Sequence, residues 1–144
     1  MYGDPQHLRA LAGLLAREAE RIEASASRLE RSATSVTWES TAAARMQRQA
    51  AHQGQAMRQV ADRYAEAARA VQHHAEATER QLERIHRAES RARQLLAGLE
   101  HALAGGAPAA AAVGRVVLGV PLPTPGHREW VAVVGRLAAL GVAR

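Results

Sequence analysis

The 144-residue chain has no cysteine, no lysine and no phenylalanine, and aromatic residues make up only 3% of it. Without cysteine it can form neither disulfides nor thiolate metal sites, and its compartment cannot be read from redox chemistry. Without phenylalanine, and with an apolar fraction of 47% that is mostly alanine, it can build long helices more readily than a thick core. Proline is missing between Pro5 and Pro108, and Gly54 is the only glycine between Gly13 and Gly98, so little interrupts a helix over that span. There are no convincing strand patterns and no glycine-rich phosphate loop beside one. The first residues run straight into an amphipathic pattern, so a cleavable signal peptide is not expected. Arginine as the sole base, with abundant alanine and glycine, fits a high-GC coding sequence.

Asp4-Pro5 is a good helix start, Asp able to cap and Pro pre-set for the first helical position. Large apolar residues then fall every seven positions, at Leu8, Leu15, Ile22, Leu29 and Val36. Four residues after each of the first four stands an alanine: Ala12, Ala19, Ala26 and Ala33. A seven-residue stripe that does not drift implies a left-handed supercoil with a partner helix, and the alanine row lets the partner backbone approach closely.

The same period continues through Ala43, Ala50, Met57, Tyr64, Val71, Thr78, Ile85, Ala92 and Leu99. The two arrays meet at Ser35 to Ala44, where Thr37, Ser40 and Thr41 favour caps over helix interiors and Trp38 is one of only two tryptophans. The expected fold class is therefore all-α: an antiparallel, bundle-forming helical hairpin over residues 1–104 with an extended second helix, followed by a short C-terminal amphipathic helix. Its bend lies at 37–40, Trp38 closing one end of the bundle, between a helix at about 5–36 and one at about 41–104, and Ser40 or Thr41 caps the second helix. Folding back at Trp38 and Glu39 sets Val36 against Ala43, Leu29 against Ala50, Ile22 against Met57, Leu15 against Tyr64 and Leu8 against Val71 as the helix-helix seam.

That pairing exhausts the first helix near residue 72, while Leu82, Ile85, Leu95, Leu96, Leu99 and Leu103 continue the apolar row with no partner in the hairpin. Three arrangements could bury them: a break near His73-His74 giving a third helix, self-association, or the C-terminal segment folding back. Residues 105–125 form a Gly/Pro/Ala linker, and its arginine and prolines argue against a membrane span. Over 126–141, Trp130, Val133, Val134, Leu137 and Leu140 recur at threes and fours, predicting a short helix that docks on the leucines at 82 to 103.

The net charge of +5 comes from arginines interleaved with glutamates: Glu76/Arg80, Glu83/Arg87 and Glu89/Arg93 stand four apart with the acid first. A solvated, ion-paired surface is expected rather than a nucleic-acid face. The seven histidines include no pair three or four apart, and no carboxylates join them in a ligand pattern. No catalytic residue, metal site, cofactor or small-molecule substrate is expected, and the chain reads as a non-enzyme.

Trp38-Glu39-Ser40, followed by Ala42, Ala43 and Met46 between two alanine-rich heptad arrays, resembles the WXG-motif superfamily of small type VII (ESX) secretion helical-hairpin proteins over roughly Asp4 to Gln81. The resemblance implies an interaction protein of a high-GC Gram-positive (actinobacterial) cell, made in the cytoplasm and secreted without a cleavable signal peptide. It would be a secreted substrate, or a co-secreted or chaperoning partner, pairing with a copy of itself or another hairpin into a four-helix bundle. Two features depart from the family: Ser40 stands at its glycine, and its Tyr-x-x-x-Asp/Glu export signal is missing, Tyr64 being followed by Ala68 and Tyr2 by Gln6. The missing signal favours the alternative of a cytosolic coiled-coil scaffold or adaptor; a basic nucleic-acid-binding helical protein is the third reading.

Overall fold

The computed structural model of the protein describes residues 4–35, 40–106, 111, 114 and 121–141. Among the described residues there are three helices, α1 (Pro5–Thr34), α2 (Thr41–Ala104) and α3 (Trp130–Ala139), and no strand. The fold is all-α, with a long second helix and a short C-terminal one.

Local chemistry sets the helix ends. The Asp4 carboxylate accepts the Gln6 N–H at 2.9 Å, and Pro5 fills the first turn, where a missing N–H costs nothing. At the other end of α1, the Ser35 N–H donates to the Arg31 carbonyl at 3.0 Å. Thr37, Trp38 and Glu39 of the predicted bend, and Val36 before it, lie outside the described residues. Ser40 begins α2: its hydroxyl accepts the Ala43 N–H at 3.1 Å, and its carbonyl accepts the Ala44 N–H at 3.0 Å.

α2 runs unbroken for 64 residues, so there is no third helix formed by a break near His73-His74. Val71, Gln72, Ala75 and Glu76 flank those histidines with no glycine or proline, and the Thr78 hydroxyl is satisfied within the helix by the His74 carbonyl at 2.9 Å. α2 ends where Gly106 takes φ +76° and donates its N–H to the Leu103 carbonyl, a stop that glycine provides without Cβ strain.

The chain divides into two compact units, residues 1–78 and 79–144. In the first, α1 packs along the early part of α2 through Ala12, Ala19, Ala26 and Ala33 on one side and Ala43, Ala50, Gly54, Ala61, Ala68 and Ala75 on the other, all buried. In the second, Ala92, Leu96 and Leu99 of α2 form one apolar cluster with Trp130, Val133 and Leu137 of α3. Ile85 is buried as well, at 1% exposure.

Between α2 and α3, Thr124-Pro125-Gly126-His127 makes a type II turn, with φ +74° at Gly126 and the His127 N–H donating to the Thr124 carbonyl at 3.1 Å. The predicted helix over 126–141 therefore begins four residues late, because its first residues are spent on this turn. Of the predicted linker, residues 107–110, 112–113 and 115–120 lie outside the described residues.

Candidate interaction surfaces

Within the expected stripe of the hairpin, the small residues are more deeply buried than the large ones. Leu8, Leu15, Ile22, Leu29, Met57 and Val71 are only half-buried and Tyr64 is 37% exposed, while the alanine row four positions away occupies the centre. Val36 lies outside the described residues. Small residues at a contact let two backbones approach closely, and at that separation a leucine fits beside the contact line but not across it.

A simple rule then orders the flanks. Leu8, Leu15, Ile22 and Leu29 each stand four residues before a seam alanine of α1, and Met57, Tyr64 and Val71 each stand four before a seam alanine of α2. Ala16, Glu23 and Glu30 stand four after seam alanines of α1, and Arg58 stands four after Gly54. Residues on opposite sides of a helical contact line diverge to opposite flanks.

Two cross-helix contacts fix which flanks meet. Arg58 Nη1 donates to Glu30 Oε2 at 3.1 Å and lies 4.0 Å from Glu23 Oε1, joining the two polar flanks. The second guanidinium nitrogen, Nη2, bonds Glu30 Oε1, a bidentate arrangement that holds the Arg58 pKa above its ordinary value. Gly54 makes room for this pair, since a Cβ there would fall on the Glu30 carboxylate. On the other flank, Leu29, Ala33, Met46 and Ala50 line one cleft. The hairpin thus has a charged side and an apolar side, and Leu11 and Val60 add 41% and 42% exposed apolar surface to the latter.

The second unit closes differently. Among the described residues it places Ala92, Leu96, Leu99, Trp130 and Leu137 in one core, with Leu95 and Leu103 partly buried against it and Leu82 half-buried. Trp130, only 1% exposed, donates its indole N–H to the Thr124 carbonyl at 3.0 Å, and the Arg93 guanidinium sits 5.4 Å from its ring centroid. Glu89 is 8% exposed, and its carboxylate accepts the Gly126 N–H at 2.8 Å and two bonds from Arg93 at 2.8 and 3.1 Å. The Gly126 N–H, then Arg93, hold the Glu89 carboxyl below its ordinary value against the opposing effect of burial. The spacing of Glu89 and Arg93 suggests a solvated pair; the link from Glu89 to the Gly126 N–H, 37 residues on, leaves no periodic signal.

Among the described residues, no group of three or more His, Cys, Asp or Glu side chains could hold a metal ion. No helix among them is long and apolar enough to cross a membrane. Compared with protein-family models, curated proteins and solved structures, the chain finds no match.

Proposed function

We propose that this chain is a non-enzymatic helical interaction protein whose hairpin pairs, through its apolar side, with another helical hairpin, either a second copy or a related partner. The observation that carries this reading is the inequality of the two sides. Glu23, Glu30 and Arg58 pair across one, while Leu8, Leu11, Leu15, Ile22, Leu29, Met46, Met57, Val60, Tyr64 and Val71 remain at least partly open to solvent on the other. A contiguous apolar strip of that kind marks an interaction face. The alanine seam beneath it contributes only about 0.8 kcal/mol per buried methyl, so covering the strip has much to add.

The resemblance to type VII secretion proteins supplies the finer part of the proposal: the pair is a secretion substrate or its co-secreted or chaperoning partner. The missing Tyr-x-x-x-Asp/Glu signal then assigns the export signal to the partner, or keeps the pair in the cell as a scaffold or adaptor.

Light scattering on the chain purified from a type VII-competent actinobacterial host tests the pairing. The native chain is expected at twice its own mass or with a helical partner, and Leu15→Arg is expected to abolish that species while leaving helicity intact. A monomer in that host, indifferent to Leu15→Arg and Val71→Arg, would sink the pairing. Detection in culture filtrate only while the secretion ATPase is active tests export separately; confinement to the lysate favours the scaffold.

A further inference from the structure

The charge of the chain is not evenly spread. Residues 1–78 hold ten arginines and nine acidic residues, whereas residues 79–144 hold nine arginines and only five. The excess is organised within α2, where Arg80, Arg84, Arg87 and Arg91 follow one another at spacings of four, three and four and so line one helix face. All four are exposed, on a face set apart from the one that carries Ile85, Ala92 and Leu99.

Such a row works against the helix that bears it, because like charges three or four residues apart repel. A glutamate four before an arginine relieves such repulsion where the pair closes tightly, as at Glu89/Arg93. Here, Arg84 and Arg91 form no ion pair among the described residues, and Arg87 reaches Glu83 only at 4.0 Å, with side chains 74% and 60% exposed. Three guanidinium groups are thus presented to solvent over about 10 Å of helix, Arg84 to Arg91.

We propose that Arg84, Arg87 and Arg91, extended by Arg80, are a docking strip for an acidic helix of a partner protein. Guanidinium forks match carboxylates bidentately, and glutamates at helical spacing repeat at the same interval as the arginines. A nucleic-acid strand fits less well: Glu79 and Glu83 border the row and would meet an unbroken line of phosphates, whereas a protein helix can place a base or a neutral residue opposite them. The strip belongs to residues 79–144 and does not depend on how the hairpin pairs.

The test uses the full chain and a fluorescent alanine-based peptide with glutamates at spacings of four, three and four, beside its glutamine counterpart and a short DNA duplex. The acidic peptide is expected to bind in low salt and to weaken as salt rises. The glutamine peptide, and the chain carrying Arg84→Gln, Arg87→Gln and Arg91→Gln, should bind at least about tenfold more weakly. A charge-matched control, Arg17→Gln, Arg31→Gln and Arg48→Gln, should bind as the native chain does. Circular dichroism of the first triple variant is expected to match or exceed native helicity, since repulsion has been removed. The reversed chain, Arg84→Glu, Arg87→Glu and Arg91→Glu, should recover binding to a lysine version of the peptide. Equal losses in both glutamine triples, tighter binding of the duplex than of the acidic peptide, or no recovery by the reversed pair would overturn the proposal.

Discussion

The two units bury their apolar surface by opposite means. In residues 1–78 the contact is a long line of methyls, Ala12 to Ala33 against Ala43 to Ala75, with the larger side chains displaced to one flank. In residues 79–144 it is a short patch in which Trp130, Val133 and Leu137 sit on Ala92, Leu96 and Leu99, pinned by Glu89 and Thr124. Length supplies what small side chains lack in the first unit. A ten-residue helix has no length to spend, so α3 is held by bulk and by hydrogen bonds at its entry turn. The consequence is that the long contact leaves its larger apolar side chains partly open along one flank, whereas the short one gathers Trp130, Val133 and Leu137 into its core.

The sharpest way to break this contrast is at Trp130. Trp130→Ala removes the bulk that anchors α3, and about 3 to 5 kcal/mol should be lost from the second unit. Urea unfolding followed by amide exchange should localise the loss to residues 79–144 and leave the α1 seam protected.

In the hairpin the fragile position is a small one. Ala26 is fully buried, so Ala26→Leu should force the backbones apart and cost about 1 to 3 kcal/mol. Leu14→Ala, at a side chain 58% exposed, should stay within about 0.5 kcal/mol. Equal melting shifts for the pair would mean that the methyl line is not the contact.

Acid should weaken the two units unequally. The Glu89 carboxyl is depressed in the folded chain, so its contribution is fully present above the ordinary carboxylate value. It should begin to fade as pH falls below about 4.3 and be gone below Glu89's own lower value. Glu89→Gln should flatten that part of the pH–stability curve, read by melting across the acid range.

The smallest effect is expected at Gly54. Gly54→Ala improves helix propensity by about 1 kcal/mol but pushes the Glu30 carboxylate off Arg58, so the net change should be below about 1 kcal/mol of either sign. A double-mutant cycle between Glu30 and Arg58 should show coupling in the native chain and none in the Gly54→Ala background.

Most of the helical skeleton was legible. Asp4-Pro5 and Ser40 carry capping chemistry, and no proline or paired glycine interrupts Thr41 to Ala104, so the helix ends follow from local preference. The break considered at His73-His74 had no helix breaker behind it, only the need to cover the leucines beyond. Which part of the stripe would be most buried was not legible, because both rows, Leu8 to Leu29 and Ala12 to Ala33, repeat every seven residues and lie four apart. Close approach of the backbones buries the alanines most deeply and sets the leucines beside them. The Glu89 to Gly126 link was hidden for another reason: a glutamate four before an arginine looks the same in sequence whether it is solvated or roofed by a turn.

The order of residues by itself determined that the chain is helical, where its two long helices begin and where the second ends, and which residues share a face, since all of these depend on spacing and near neighbours. Only the tertiary structure decided which of two equally periodic rows forms the contact, which flanks meet, and what the Thr124 to His127 turn touches. Those outcomes depend on the distance between helices and on bonds between residues far apart in sequence, and periodicity along one helix carries no information about either.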